Sequence, residues 1–348
     1  MSSGNKIQIR QVVIWGYKLH SHTHSYIHNA FYRAFQYRGL PVLWLDETDD
    51  ISSIDFSRTL FLTEHLVNKQ IPCRKDCLYL THYVDIGDYP GVPKEHIIVL
   101  KMSQRDFTEE DKDWGKGVVY EELAEKRGYG EPWEYHARVD GYNCWYTYWA
   151  TDIFPEQIDE NIRALESGDL EAKRTRDIHF VGHMEEIWVY FRMLCDGNGI
   201  PFHHHGASFS RNSERNRSTE ENMELIQKSW FAPAFQSDHQ VKHRYVPCRI
   251  FKNISYGKMG ISNNPAMVEL FGKYLKEGER GILFSREVLD LVNQSLDYER
   301  IAHTEPGKAH LKRLMEIVRN HHTFLNRLNT LQKFIEDYAG DFTLVWGL

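Results

Sequence analysis

Within residues 12–45 a strand, a helix and a second strand follow one another, and this succession constrains the fold more than any other feature. Val12–Trp15 (VVIW) and Val42–Leu45 (VLWL) are short apolar runs of β-branched and aromatic residues bounded by polar ones, as buried strands are. Between them, Ile27, Ala30, Phe31, Ala34 and Phe35 recur at helical spacing over Tyr26–Tyr37, an apolar stripe of period 3.6. Gly39 stands where a helix ends in a left-handed residue, and Pro41 follows it. A strand–helix–strand unit of this length commits the sheet to parallel order with a right-handed crossover. Similar runs at Thr59–Leu62, Leu78–Leu80 and Ile97–Leu100 extend it, so the first half reads as a doubly wound α/β domain.

The stretch 106–148 is rich in charge, Gly, Trp and Tyr, with weak periodicity. It reads as an inserted lid with one helix near Val118–Lys126. Leu165–Arg176 (LESGDLEAKRTR) carries no apolar repeat and reads as a linker. The pattern then restarts. Strands are expected at Ile178–Gly182, Pro201–His205, Trp230–Ala234, Met259–Ser262 and Gly281–Phe284. Helices are expected at Glu185–Cys195, Glu220–Lys228, Pro247–Tyr256, from Pro265, at Glu287–Leu296 and, as one long terminal helix, from Lys308 to Tyr338. The 348 residues suit two such domains: an N-terminal domain over 1–165, a C-terminal domain over 174–330, and a segment 331–348 packing back on the first. Two Rossmann-like α/β domains in succession would face a cleft at the carboxyl ends of their strands, where such folds take ligands.

Composition removes several function classes. A formal charge of −7 argues against nucleic acid as the main partner. No apolar run reaches the length of a membrane span, and the polar start MSSGNK lacks the features of a secretory signal. Five cysteines do not make a disulfide framework, and Cys73 and Cys77 have no second pair to complete a zinc site; a reduced cytoplasmic protein is expected. The P-loop, the G-x-G-x-x-G turn, the G-x-S-x-G elbow and H-E-x-x-H are all missing, against an NTPase, a dinucleotide oxidoreductase, a serine hydrolase and a zinc protease. Asp46–Asp50 (DETDD) reads as a solvated turn.

The informative segment is Tyr245–Phe271. Ile250, Phe251 and Ile254 form the apolar side of a short helix, Arg249 and Asn253 share one face, and Lys252 and Tyr256 a neighbouring one. Gly257 ends the helix, a strand follows, and Asn264–Pro265 opens the next helix with a favoured N-cap and N1 pair. Two cations beside two helix N-termini suit an anion such as a diphosphate.

This region resembles the C-terminal part of group-1-type glycosyltransferases, in particular their CgeB-like branch in bacteria and viruses. The resemblance is carried by Arg249-Ile250-Phe251, Ser255-Tyr256-Gly257, Asn263–Phe271 and His322-Thr323-Phe324-Leu325-Asn326-Arg327, with Ile178–His183 (IHFVGH) similar to the first strand and loop of the donor domain. It implies a GT-B fold and transfer of a sugar from a UDP- or GDP-type nucleotide diphosphate sugar to a hydroxyl of a glycan or other acceptor, with retention and without a metal or resident cofactor. Arg249 and Lys252 would then stabilise the leaving diphosphate, while His183, Ser255, Tyr256, Gly257, Asn263 and Asn264 frame the nucleotide. Lys252 and Asn253 stand where many retaining relatives carry a glutamate, and Glu269 is the available replacement. The alternative is a non-catalytic sugar- or nucleotide-binding module on the same fold.

Nineteen histidines are many. His20, His22, His24 and His28 follow the first strand. Their spacing allows a metal site, sugar-hydroxyl contacts or a plain solvated loop, with His22 and His24 the candidates for contact with the transferred sugar. His203–His205 reads as a structural or site-lining triplet, and His322 with Arg327 as an interdomain contact.

Overall fold

The computed structural model describes residues 6–16, 18, 23–63, 71–84, 88–102, 119–123, 126, 129, 131, 133–206 and 217–347. The chain is a mixed α/β protein with eleven helices among these residues and a large, mostly parallel sheet. None of its helices is long and apolar enough to cross a membrane. It divides into two compact units. Among the described residues, the first holds those up to Thr147 together with those from Leu325 onward, and the second holds Tyr148–Phe324.

The first unit opens with a two-residue strand β1 (Ile7–Gln8), then β2 (Gln11–Trp15), α1 (Thr23–Tyr37) and β3 (Val42–Leu45). β4 (Thr59–Thr63), β5 (Leu78–Thr81) and β6 (Ile97–Lys101) follow. These are the runs that the sequence pattern picks out, because strands buried on both faces read as unbroken apolar stretches. The sheet order is β3-β2-β4-β5-β6, all parallel. Chain direction across the sheet reverses between β2 and β4, the switch-point arrangement of doubly wound folds.

The described part of 106–148 is sheet rather than lid. β7 (Tyr120–Glu122), β8 (Tyr135–Val139) and β9 (Tyr142–Tyr146) extend the sheet beyond β6, with β9 parallel to β6 and the other two antiparallel in turn. The helix expected near 118–126 is therefore not formed at 120–122, and 118, 124 and 125 lie outside the described residues. The signal overlooked is the two-residue turn Asp140-Gly141. Both residues have positive φ, 51° and 87°, as a hairpin turn matched to strand twist requires.

In the second unit the expected linker is helical. α2 (Pro155–Ser167) buries Ile158, Ile162 and Leu165, Gly168 turns left-handed at φ 92°, and α3 (Asp169–Ala172) buries Leu170. β10 (Ile178–Phe180), α4 (Glu186–Gly197), β11 (Phe202–His204) and α5 (Thr219–Lys228) then follow. α6 (Asp238–Lys242), unforeseen, starts from a Ser237 capping box. α7 (Cys248–Ser255), β12 (Ile261–Ser262), α8 (Pro265–Gly272), β13 (Leu283–Phe284) and α9 (Val288–Ile301) complete the pattern. β10 pairs with β11 and β12 with β13, each in parallel.

Residues Trp230–Ala234 lie between those pairs but form no regular strand. Two backbone bonds hold them, Trp230 N–H to Asp177 O and Ala234 N–H to Ile261 O, both 2.8 Å. Pro233 has no N–H to give. Side chains take the carbonyls a ladder would use: Lys258 bonds Ser229 O, Ser229 bonds Phe231 O, and Asn253 bonds Ala232 O. The segment is thus tied by single backbone bonds to Asp177, just before β10, and to Ile261 of β12.

The single terminal helix is two. α10 (Glu305–His321) ends where Thr323 bridges Thr151 and His322 O accepts from Thr151 N–H at 2.9 Å, and α11 (Phe324–Tyr338) starts afresh. In the first unit α11 packs Phe334 against Trp145 and His136, and β14 (Phe342–Thr343) pairs with β1.

Candidate functional site

Helix α7 is fixed by its apolar side, with Ile250, Phe251 and Ile254 fully buried, and by Pro247, extended at the N-cap rather than inside the first turn. The Arg249 side chain then reaches the carboxyl end of β10. Its guanidinium lies over the rings of Phe180 and Trp188, 4.8 and 5.1 Å from their centroids, and these two rings stack at 3.7 Å. Cation–π contacts of this kind hold the group in place without consuming its charge. Nη2 donates to Val181 O at 3.4 Å, and among the described residues no carboxylate forms an ion pair with it. Burial draws its pKa below the ordinary value, with the charge of Glu185 opposing; arginine stays charged regardless.

The backbone beside Arg249 is built from glycines. Gly182 has φ 147°, and a Cβ there would collide with Arg249 Nη2. A Cβ on Gly206, just after β11, would collide with Gly182 O. His204 donates its Nε2–H to that same carbonyl at 2.7 Å, turning it toward β11. Helix α4 then opens with no side chain capping its first turn, so unpaired N–H groups and the positive end of its dipole lie close by. A guanidinium from α7, the glycines at 182 and 206 and the start of α4 together form the composition of an oxyanion site.

Of the residues expected at the donor site, Arg249 reaches this loop from α7 and half-buried His183 lies in it, next to Gly182. Lys252 is paired inside the fold. Its Nζ lies 2.6 Å from Asp152 Oδ2, with the two side chains 16% and 4% exposed, so an internal carboxylate neutralises the charge expected to face a phosphate. The Tyr256 hydroxyl donates to Asp152 Oδ1 at 2.5 Å and Thr219 reaches Oδ2 at 3.5 Å. Ser255 is buried, its hydroxyl 2.7 Å from that of Thr151. Gly257 takes φ 91° over Leu170, whose side chain a Cβ would strike. Asn263 exchanges two bonds with the Gln236 backbone, both 2.9 Å. Asn264 caps α8 and holds Gln236 Oε1 at 2.7 Å. These side chains pin the loop before α7 to the core. Glu269 is exposed and paired with Arg244 at 2.6 Å.

In the first unit, His24 and buried His28 lie on α1 and buried His82 directly follows β5. The His24–His82, His28–His82 and His24–His28 centroids are 4.9, 6.1 and 6.3 Å apart. His28 Nδ1–H and Trp44 Nε1–H both donate to Gly16 O at 3.0 Å. The rings stand near the carboxyl ends of β2 and β5, on the side of the sheet where α/β units take ligands. His20 and His22 lie outside the described residues. The Arg327 guanidinium faces Glu134 of the same unit at 3.6 Å, both side chains 1% exposed.

Sequence reading missed Asp152, Glu134 and His82. The first two are ordinary acids whose partners come from distant elements, and nothing local marks them. His82 carries a usable signal, a polar residue immediately after a wholly apolar strand. No protein-family model matches the chain, and no curated protein does.

Proposed function

We propose that the chain is a GT-B glycosyltransferase whose second unit binds a nucleotide diphosphate sugar and whose first unit binds the acceptor. The carrying observation is Arg249: a half-buried guanidinium held by two aromatic faces beside the Gly182 loop, with no carboxylate partner among the described residues. The sequence resemblance from Arg249 to Arg327 and the parallel α/β build of both units support the same reading.

In the proposed reaction the bond between the anomeric carbon and the diphosphate oxygen breaks, and the leaving group departs as nucleoside diphosphate. The acceptor oxygen forms the new glycosidic bond and loses its proton to solvent or a base. Charge grows on the diphosphate as that bond breaks, so a prepositioned Arg249 and the start of α4 stabilise the transition state beyond the ground state. His183 borders the nucleotide, and His24 with His82 faces the acceptor or sugar. Retention, independence from metal and from a resident cofactor, and a UDP or GDP donor belong to the same proposal. So does a cytoplasmic site of action, supported by five free cysteines.

The non-catalytic binding module has support of its own. Asp152 neutralises Lys252, and Glu269 is exposed and paired with Arg244, which leaves Arg249 as the only expected phosphate cation without a carboxylate partner. Thermal-shift screening against UDP, GDP, CMP and dTDP sugars, followed by a turnover assay, tests both readings. Binding with turnover supports the transferase, binding without turnover the module, and no binding defeats both.

A further inference from the structure

We propose that Asp177, His179 and His203 form a binding site for a divalent first-row transition metal, with His205 and Thr175 orienting its ligands. His179 and His203 are cross-strand partners in the parallel pair β10–β11, so their rings project from one face and stack 4.9 Å apart at 22°. Asp177 precedes β10 and brings Oδ2 to 3.3 Å from His179 Nε2 and 3.0 Å from His203 Nε2. All three donor atoms lie within 4.8 Å of one another. Zinc bonds of about 2.0–2.1 Å place tetrahedral ligand atoms roughly 3.3 Å apart, so a modest adjustment admits an ion.

The surroundings have the form of an outer shell. His205 Nε2 lies 2.8 Å from His179 Nδ1, so a neutral His205 accepts the Nδ1–H and leaves the Nε2 lone pair of His179 for the metal, as ligating histidines require. The Thr175 hydroxyl bonds Asp177 Oδ1, leaving Oδ2 free to ligate. His203 is 47% exposed, which leaves an open side for water.

Side chains alternate along strands. His179, His203 and His205 therefore occupy the face of β10–β11 opposite Phe180, on which Arg249 stacks. The metal would join β10, β11 and the chain before them, and this assignment does not depend on the donor reading.

The test is calorimetric titration of zinc chloride into the full chain after EDTA treatment and dialysis, with cobalt(II) absorption as a second readout. Wild type should take one tight equivalent, raise its melting temperature and give cobalt d–d bands. His203→Ala and Asp177→Asn should each abolish the tight site. His205→Ala should weaken it by about 10- to 100-fold, the usual effect of losing an outer-shell partner. A His239→Ala/His243→Ala control, removing the histidine pair of α6 and its C-cap, should leave it intact. His203 is exposed enough for its variant to fold, and circular dichroism checks this. Zinc affinity unchanged in folded His203→Ala and Asp177→Asn, or wild type binding no zinc, would overturn the proposal.

Discussion

Replacing Lys252 by methionine separates a structural lysine from a phosphate-binding one. Asp152 is 6% exposed and receives Lys252 Nζ at 2.6 Å and the Tyr256 hydroxyl at 2.5 Å. Methionine preserves most of the side-chain volume and leaves a buried carboxylate without its cation. Removing one partner of a buried pair costs about 3–5 kcal/mol, and the remaining Tyr256 and Thr219 bonds put the expected loss near the lower end, at about 3 kcal/mol. With a urea slope of roughly 2–3 kcal/mol/M, the unfolding midpoint of the second unit falls by about 1 M. Tyr256→Phe removes one hydrogen bond to a charged acceptor, worth about 1.5–3 kcal/mol. The two losses should combine non-additively because they share Asp152. Urea unfolding followed by tryptophan fluorescence measures stability, and titration of the preferred nucleotide sugar measures the site. Lys252→Met should lower the midpoint and leave the affinity of folded protein unchanged. Wild-type stability with lost nucleotide affinity would refute the internal pairing.

Two further outcomes follow from buried groups in the first unit. Glu134→Leu leaves the Arg327 guanidinium without its carboxylate and removes the acceptor of the Thr147 and Thr330 hydroxyls. It should cost about 3–5 kcal/mol in chemical denaturation, and a change below 1 kcal/mol would contradict the pairing. Burial lowers the pKa of His96 and His136, so the unfolded chain binds more protons than the folded one below about pH 6.5. Their stabilisation is complete above that pH and is lost as pH falls toward the lowered folded values. Melting temperature should drop between pH 7 and 5, less steeply in His136→Gln, and identical slopes would count against this.

The strands of the first unit were legible because VVIW, TLFLT and IIVLK are apolar on both faces, and such runs need no partner to be recognised. The β8–β9 hairpin was written in Asp140-Gly141, but the Tyr- and Trp-rich flanks concealed its alternation. The irregular segment at 230–234 shows the opposite error. Its composition suits a strand, yet Pro233 and the side chains of Lys258, Ser229 and Asn253 take over its backbone bonding. The break at His322–Thr323 has no glycine or proline to announce it, because it is imposed by pairing with Thr151. At the site, Arg249 was readable from its place at the start of a helix. The partner of Lys252, Asp152, was not legible because a cation's partner is a tertiary property that spacing along one helix does not contain.

The most direct test of the central claim is titration calorimetry of folded Arg249→Ala and wild type with the nucleotide diphosphate sugar that most raises the melting temperature. A charge-assisted hydrogen bond from arginine to phosphate contributes about 1.5–3 kcal/mol, so the variant should bind roughly 10- to 150-fold more weakly. Arg249→Lys should recover part of the loss, because a point charge does not reproduce the planar fork. Turnover should fall at least as far as binding if the contact tightens while the leaving group gains charge. Equal affinity and equal turnover in Arg249→Ala and wild type would contradict the assignment of the donor diphosphate to the Gly182–Arg249 loop.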